Sequence, residues 1–185
     1  MQIETMMVGQ KIYIRSIQEA DVYGRWWQWF NDPEVTRHMN KGQEFNSIEK
    51  QLAFFNKMRI SEGDCVLAIC ELETKKHIGT TAFHNIRVEF DKRVGSFGIV
   101  IGEKEYWGKG IGTEVWRMMV NYGFKELRLD QIETKIFSTN NASLKVSKKL
   151  GFQLVKRMKS ELVKHGRSID RILFRLEKDA WGPQP

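Results

Sequence analysis

The chain has 185 residues, 41% of them hydrophobic and 29% charged, and its formal net charge is +7. Eleven Phe and six Trp supply enough apolar surface to fold without disulfides or metal, which excludes a disordered chain and predicts a single domain over residues 1–185. The segment 145–171 holds nine basic and two acidic residues, and therefore the whole charge excess. It predicts an anionic partner: a nucleic acid, a phosphorylated cofactor or an anionic surface.

Two cysteines, Cys65 and Cys70, lie five residues apart, and no Cys or His pair has the spacing of a zinc site. The sequence therefore predicts reduced thiols and no metal. No stretch of about 18 apolar residues occurs, and the N-terminus lacks the apolar segment of a signal peptide. These features predict a cytoplasmic protein with no membrane partner.

Hydrophobic periodicity and turn residues divide the chain into short elements. In chain order the sequence predicts a strand at 11–15, helices at 21–31, 33–39 and 46–60, strands at 66–72, 78–88 and 94–101, a helix at 113–127, a strand at 132–137, a helix at 142–150, and strands at 153–163 and 169–176 joined by a turn at His165-Gly166. The strand at 94–101 is expected to be buried on both faces, because its apolar residues do not alternate. The order predicts an α+β fold with helices inserted into one sheet.

A glycine-rich turn lies between the strand at 94–101 and the helix at 113–127. Gly108, Gly110 and Gly112 stand at every second position, so the backbone is able to approach a ligand closely, and the following helix start presents unpaired N–H groups. This combination predicts a phosphate-binding loop, with a simple tight turn as the alternative. The Rossmann and Walker patterns are both missing, which disfavours a dehydrogenase or an NTPase.

Two further motifs follow: Asn140-Asn141-Ala142-Ser143 between a strand and a helix, and Leu150-Gly151-Phe152 at the end of that helix. Together with the glycine turn they make residues 94–152 resemble the acyl-CoA-binding core of the GNAT N-acetyltransferases. Trp107 stands where that family usually has Arg or Gln. The resemblance implies a central, mostly antiparallel, mixed β-sheet flanked by helices. It also implies transfer of an acetyl group from acetyl-CoA to a primary amine by direct attack.

The resemblance also implies which residues contact coenzyme A. The strand edge would pair with the pantetheine arm, the glycine turn would bind the pyrophosphate, and Asn140 would hydrogen-bond the arm. The predicted cofactor-binding residues are Ile99, Val100, Ile101, Trp107, Gly108, Lys109, Gly110, Ile111, Gly112, Thr113, Asn140 and Ser143. Candidates for the 3′-phosphate, with solvated lysines as the alternative, are Lys109, Lys145 and Lys148.

Acetyl transfer to an amine needs a base, an oxyanion site and an acid for the leaving thiolate. Many GNAT enzymes carry a tyrosine acid at the position of Ser147, so Ser147 is the predicted, weaker acid. His84 is the predicted base, with a structural histidine as the alternative, and Ser96 is a predicted relay through water. Glu71 and Glu133 are further carboxylates on predicted strands.

The aromatic N-terminal third resembles two GNAT branches. One acetylates N-terminal amines of ribosomal proteins, and the other acetylates nucleotide-linked amino sugars of the pseudaminic acid type. The predicted acceptor-binding residues are Trp29, Asn31, Arg37 and His38, and Lys41 is a further cation for a pyrophosphate. A core role for the aromatic residues is the alternative.

A small amine acceptor is the predicted partner beside CoA. An amino sugar, nucleotide-linked in the branch that the sequence resembles, is preferred over a protein N-terminal amine. Two hypotheses from other functional classes stay open. One is a CoA-binding sensor without catalysis, and the other is a nucleic-acid-binding module that uses residues 145–171. The second is disfavoured, because the apolar face of the helix at 142–150 is expected to pack on the sheet. A homodimer is a further hypothesis for the assembly of this protein.

Overall fold

The computed structural model describes residues 5–40, 42, 44–164 and 167–182. Within these residues the strands are β1 (Thr5–Val8), β2 (Ile12–Ser16), β3 (Cys65–Glu71), β4 (His77–Glu89), β5 (Lys92–Ile101), β6 (Gln131–Phe137), β7 (Gln153–Lys164) and β8 (Arg167–Glu177). The helices are α1 (Glu19–Asp21), α2 (Trp27–Trp29), α3 (Ile48–Arg59), α4 (Ile111–Lys125) and α5 (Asn141–Lys149). A π-helical turn (Val22–Trp26) joins α1 to α2, and 3-10 turns occupy Thr36–His38, Lys104–Tyr106 and Lys178–Ala180.

The strands form one sheet in the order β1-β2-β3-β4-β5-β6-β8-β7. Every neighbouring pair is antiparallel except β5 and β6, which are parallel. The predicted α+β fold with a mixed sheet flanked by helices is confirmed. Strand β1 was not predicted, since four residues are too few for a periodic signal. The predicted turn at His165-Gly166 lies outside the described residues.

The parallel pair β5 and β6 is short. It consists of Val94 opposite Gln131, Gly95 opposite Ile132 and Ser96 opposite Glu133. Beyond Ser96 the two strands diverge, while β5 stays paired with β4 as far as Ile101 and β6 stays paired with β8. One edge of β5 is therefore left open from residue 97 to residue 101, at the point where the glycine turn begins.

Helices α4 and α5 cover one face of the sheet. The ring of Phe97 lies 4.7 Å from that of Trp116 on α4, and Trp116 lies 5.3 Å from Phe152 after α5, both edge to face. On the opposite face, Val100 packs against the cluster around Trp26 from the N-terminal helices. Strand β5 is therefore covered on both faces, as its continuous apolar pattern predicts.

The N-terminal helices differ from their predicted form. The helix expected at 21–31 is divided into α1, the π-helical turn and α2, because Gly24 adopts a non-helical ψ of −145°. The helix expected at 33–39 is wrong: only the 3-10 turn Thr36–His38 forms, and the Thr36 hydroxyl and amide both donate to Asp32 O. A segment of seven residues is too short to form a stable helix by itself, because the first helical turn is costly to form.

A buried ion pair ties α1 to β2. Asp21 is 6% exposed and accepts hydrogen bonds from Arg15 Nη1 at 2.8 Å and Nη2 at 2.7 Å, and from the Gln18 amide at 2.8 Å. Burial alone would raise the pKa of Asp21. The hydrogen bonds from Arg15 and the contact with His77 outweigh that effect, so its pKa lies well below the ordinary value. This pair therefore anchors α1, the first of the N-terminal helices, to β2.

Candidate active site

A cavity of about 380 Å³ lies where β5 and β6 diverge. Its walls come from the β5 edge, the glycine turn, the first turns of α4 and α5, and the segment around Thr36–His38. The lining residues are Glu34, Val35, Arg37, His38, Met39, Ile99, Val100, Ile101, Tyr106, Trp107, Gly108, Gly110, Ile111, Gly112, Trp116, Asn140, Ala142, Ser143 and Val146. Most of the residues predicted to contact coenzyme A therefore meet in one place. Lys109 and Thr113 are the exceptions among them.

The glycine turn has the geometry of an anion site. Gly108 (φ 75°) and Gly110 (φ 83°) adopt left-handed backbone conformations that side chains other than glycine rarely adopt. A Cβ atom added at either residue, or at Gly112, would meet no atom within 4 Å. The first intrahelical bond of α4 runs from Glu114 N to Gly110 O, so the amides before Glu114 are available to a ligand. These residues fit a pyrophosphate.

The open edge of β5 presents backbone groups to this cavity. Trp107 Nε1 donates to Ile101 O at 2.8 Å, which shows that the backbone of Ile101 is directed towards the cavity. Because backbone groups alternate sides along a strand, Ile99 faces the cavity as well, whereas Val100 faces Thr80 of β4. The edge able to pair with an extended ligand thus consists of Ile99 and Ile101, and Val100 contributes its side chain.

The start of α5 forms the opposite wall. The Asn140 side-chain oxygen accepts from Ser143 N at 3.2 Å, and it therefore caps α5. Asn140 and Ser143 both line the cavity, as predicted. The cap explains why this asparagine lies where the chain turns from β6 into α5.

Two of the predicted acceptor residues roof this same cavity. The Arg37 guanidinium lies 5.4 Å from the centre of the Trp107 ring, and His38 Nδ1 lies 3.3 Å from the hydroxyl of Thr139. The turn Thr36–His38 thus contacts both sides of the opening, at Trp107 after β5 and at Thr139 after β6. Arg37 and His38 both line the cavity that contains the glycine turn, and their assignment to the acceptor stays a prediction.

The other two predicted acceptor residues are structural. Trp29 is 2% exposed, packs on Gly102 and donates from Nε1 to Glu103 Oε1 at 2.8 Å. Asn31 Nδ2 donates to Asn46 O at 2.9 Å, and its Oδ1 accepts from Asn46 N at 2.7 Å. Neither side chain lines the cavity, because both hold the N-terminal segment together. Lys41 lies outside the described residues.

A second cavity, of about 360 Å³, opens on the other side of β5. Its described lining residues are Trp26, Phe30, Met39, Phe54, Val66, Thr80, Thr81, Ala82, His84, Gly98, Ile99 and Val100. Met39, Ile99 and Val100 line both cavities. A group held along the β5 edge and a group held in the second cavity would therefore meet near the C-terminal end of β5. After the roles proposed for them below, we call the first the coenzyme cavity and the second the acceptor cavity.

His84 lies in the acceptor cavity with a carboxylate beside it. Its Nδ1 is 3.1 Å from Asp64 Oδ1. Because a carboxylate only accepts, Nδ1 carries the proton and Nε2 keeps its lone pair in the neutral ring. Ser96 pairs with His84 across β4 and β5 and shares its face of the sheet.

Asp64 is held by its own partners. It accepts from the Ser61 hydroxyl at 2.7 Å and from the Asn85 amide at 3.2 Å. Partial burial would raise the pKa of Asp64, but these hydrogen bonds and the contact with His84 outweigh it and lower the pKa. Sequence reasoning missed Asp64, which precedes His84 by 20 residues and has no motif around it.

The predicted acid is misplaced. Ser147 is fully buried, its hydroxyl donates to Leu144 O at 3.1 Å, and it lines neither cavity. This i−3 bond engages the hydroxyl within α5, so the structure gives the predicted acid no access to either cavity.

The two strand carboxylates are also engaged elsewhere. Glu133 lies between Arg87 Nη2 at 3.2 Å and Arg175 Nη2 at 2.6 Å, and these partners lower its pKa despite the opposing effect of burial. Glu71 accepts from the amide of Thr74 at 2.7 Å in an exposed turn. Neither carboxylate lines the first or the second cavity.

A third cavity, of about 670 Å³, continues outward from the glycine turn. Its cations are Lys11, Arg117 and Lys149, and Gly110 and Thr113 also line it. Arg117 Nε is buried without a hydrogen-bond partner among the described residues. Arg117 and Lys149 therefore join the predicted lysines as candidates for binding the 3′-phosphate of coenzyme A.

Lys109 Nζ lies 5.4 Å from the centre of the Tyr106 ring, and neither Lys145 nor Lys148 lines any of these cavities. Of the basic segment 145–171, Lys149 is the residue that reaches the third cavity. Arg171, at the end of that segment, packs 4.6 Å from the ring of Phe137.

Other features limit the chemistry of the described residues. Within them, no cluster of three or more His, Cys, Asp or Glu side chains is arranged to hold a metal ion. Cys65 and Cys70 are both free thiols there. No helix in this part of the chain is long and apolar enough to span a membrane.

A sheet that opens beside a glycine-rich anion loop, with a second cavity meeting the opening, defines an acyl-CoA-dependent transferase. Comparison with known proteins identifies the family: a family model described as an acetyltransferase (GNAT) domain matches residues 11–153. The Bacillus licheniformis protein p20, named as an uncharacterized N-acetyltransferase, is 30% identical over 164 residues, covering 88% of this chain and 89% of its own. The chain belongs to the GNAT family and is an acetyl-CoA-dependent N-acetyltransferase.

Solved structures agree with this fold. A spermidine N-acetyltransferase from Vibrio cholerae, in complex with CoA and spermine, has a TM-score of 0.83 at 18% identity and covers 92% of this chain and 98% of that chain. A ribosomal-protein-S5-alanine acetyltransferase from Vibrio fischeri has a TM-score of 0.74 at 25% identity, over 96% of this chain and 98% of that chain. The first likeness concerns the fold alone.

Proposed function

We propose that this N-acetyltransferase holds acetyl-CoA along the open edge of β5 and a primary amine in the acceptor cavity. The observation that carries the proposal is the junction of the two cavities at Ile99 and Val100. Holding both reactants at one point converts a bimolecular reaction into a local one, which is a large part of the catalytic power of such a site.

The coenzyme cavity supports a defined orientation of acetyl-CoA. The amides of the glycine turn would hold the pyrophosphate, and the backbone of Ile99 and Ile101 would pair with the pantetheine arm. Arg37 and His38 would cover the arm from the other side. Acetyl-CoA supplies the acetyl group as a thioester.

The proposed reaction needs one general base, which accepts the proton that the amine loses. The amine lone pair forms a C–N bond to the acetyl carbonyl carbon, the C–S bond breaks, and the sulfur leaves with the electron pair. The surplus amine proton passes to His84 Nε2 through water in the acceptor cavity, and Asp64 holds the ring in the required tautomer. A thiol has a pKa of about 8.5, so the leaving thiolate takes its proton from solvent with little cost near neutral pH.

The amino-sugar acceptor is not carried into this proposal. Its four predicted residues do not meet in the acceptor cavity, and the described lining of that cavity contains no Arg or Lys for a nucleotide pyrophosphate. The names of the similar proteins point to spermidine and to a ribosomal protein instead. The cytoplasmic location, the single domain and the homodimer stay predictions.

The proposed activity has a direct test. With acetyl-CoA and a panel of primary amines, we expect release of the CoA thiol together with an acetylated product 42 Da heavier than the amine, about the mass of the group transferred. Thiol release is followed continuously and the product by mass spectrometry. Binding of acetyl-CoA without transfer to any amine would indicate a sensor and overturn the proposed function.

The third cavity predicts recognition of the 3′-phosphate of coenzyme A by Arg117 and Lys149. Replacing Arg117 by glutamine is expected to weaken CoA binding roughly 10-fold, because a charged hydrogen bond is worth about 1.5–3 kcal/mol. Dephospho-CoA, which lacks this phosphate, should bind the variant and the wild type alike. Calorimetric titration with both ligands measures the difference. An equal loss for both ligands would mean that Arg117 acts on the fold rather than on the phosphate.

A further inference from the structure

We infer that the acceptor is a primary monoamine whose remaining body is uncharged and apolar, such as an arylalkylamine or an alkylamine. The inference rests on the proposed function, since it concerns the substrate of the same acceptor cavity. It narrows the acceptor from any primary amine to one chemical class.

The charge of the acceptor cavity is the first argument. Among its described lining residues, none is Asp, Glu, Lys or Arg, and His84 is the one titratable side chain. The Thr81 hydroxyl donates a hydrogen bond to Gly98 O at 3.0 Å. Asp64 lies behind His84 and is engaged by Ser61 and Asn85, so it is not offered to a ligand. A second charge on the acceptor would be desolvated here without a partner.

The walls of the cavity are the second argument. Trp26 and Phe54 pack edge to face with ring centres 5.9 Å apart, and Phe30 and Met39 extend the same apolar surface. Aromatic rings and a thioether suit an aryl or alkyl group. The volume of about 360 Å³ lies in the range of small-molecule sites.

The floor of the cavity is the third argument. Gly98 lies on β5 between Ser96 and Val100, and a Cβ atom added there would meet no atom within 4 Å. The fold therefore does not require glycine at this position for packing. Its missing side chain leaves room beside Ala82, its partner on β4, for the body of an acceptor.

These features separate the inferred class from two others. A polyamine carries further ammonium groups, which call for carboxylates that the described lining lacks. A nucleotide-linked amino sugar carries a pyrophosphate, which calls for cations that the described lining also lacks. An amine with an aryl or alkyl body requires neither carboxylates nor cations, and it is able to pack against the apolar walls.

The test compares acceptors on the wild-type enzyme. We expect kcat/KM for 2-phenylethylamine and hexylamine to exceed that for spermidine, for a UDP-linked amino sugar and for a peptide with an N-terminal alanine by roughly 10-fold or more, the range in which desolvating one unpaired charge shows. Phenylalanine, which adds a carboxylate to phenylethylamine, should also be poor. A rate for spermidine, the sugar or the peptide that equals or exceeds that of phenylethylamine overturns the inference. No transfer to any amine overturns the proposed function instead.

A variant locates the acceptor. Gly98→Val should raise the KM for phenylethylamine roughly 10-fold or more and leave the Kd for acetyl-CoA unchanged, because a branched side chain would occupy the cavity floor. Gly182→Val is the matched control, since a Cβ atom at Gly182 also meets nothing within 4 Å and lies outside both cavities. An unchanged KM in Gly98→Val overturns this placement. If that variant does not fold, the wild-type comparison of acceptors decides alone.

Discussion

Replacing Gly112 by aspartate is expected to abolish acetyl-CoA binding and to leave the fold intact. Gly112 lies in the first turn of α4, its φ is not left-handed, and an added Cβ atom would meet nothing within 4 Å. A carboxylate in the first turn of a helix favours the helix dipole by about 0.3–1 kcal/mol, so unfolding should not become easier. The side chain would however stand where the glycine turn faces the pyrophosphate.

The expected loss is large because two like charges would be brought together in a partly enclosed place. At an effective dielectric constant of about 20 and about 4 Å separation, the repulsion is about 4 kcal/mol, on the order of 10³-fold in Kd. Calorimetric titration with acetyl-CoA measures this loss. Gly112→Asn is the matched neutral control, and it should bind far more tightly than Gly112→Asp. Equal binding by the two variants would show that the pyrophosphate lies elsewhere.

Removing the imidazole of His84 is expected to give the second large effect. Loss of a general base typically costs 10²–10⁴-fold in rate, so kcat of His84→Ala should fall by about this factor at neutral pH. The KM for acetyl-CoA should not change, since His84 lines the acceptor cavity and not the coenzyme cavity. Initial rates with a fixed amine measure both quantities. Turnover equal to the wild type would exclude His84 as the base.

Two further measurements separate catalysis from packing at this histidine. Added imidazole should restore part of the turnover of His84→Ala, because the missing group is a base and free imidazole is able to enter the space that the removed side chain leaves. Asp64→Asn should also lower kcat, because an amide is able to donate to Nδ1, which favours the tautomer that carries its proton on Nε2 and cannot accept one from the amine. An Asp64→Asn variant with unchanged kcat would show that the contact only supports the turn after α3.

Helices and strands were predictable where their signals are local. The strand at 94–101, the glycine turn and the following helix are consecutive in the chain, and β5 and α4 lie within two residues of their predicted bounds. The need for glycine at Gly108 and Gly110 follows from positive φ angles that neighbouring residues impose. Most of the coenzyme cavity could therefore be predicted from residues 94–152, whereas its wall at residues 34–39 could not.

The acceptor cavity could not be predicted in the same way. Arg37 and His38 roof the coenzyme cavity, and Trp29 is packed on Gly102, although all three share one aromatic segment with Trp26 and Phe30. Which of these side chains faces which cavity depends on the kink at Gly24 and on the packing of α1 to α3 against the sheet. Periodicity within a segment contains no information on these contacts.

The sequence by itself determined the resemblance to the GNAT family and the order of most helices and strands, and it predicted the glycine turn as an anion site, because each of these depends on residues close together in the chain. Only the tertiary structure decided that Asp64 lies 3.1 Å from His84, that the Ser147 hydroxyl bonds to Leu144 O within α5, and that the described lining of the second cavity contains no Asp, Glu, Lys or Arg. Those features join residues from α3, β4, β5 and the N-terminal helices. Their distances are set by the closure of the sheet and the burial of the aromatic cluster, and not by spacing along the chain.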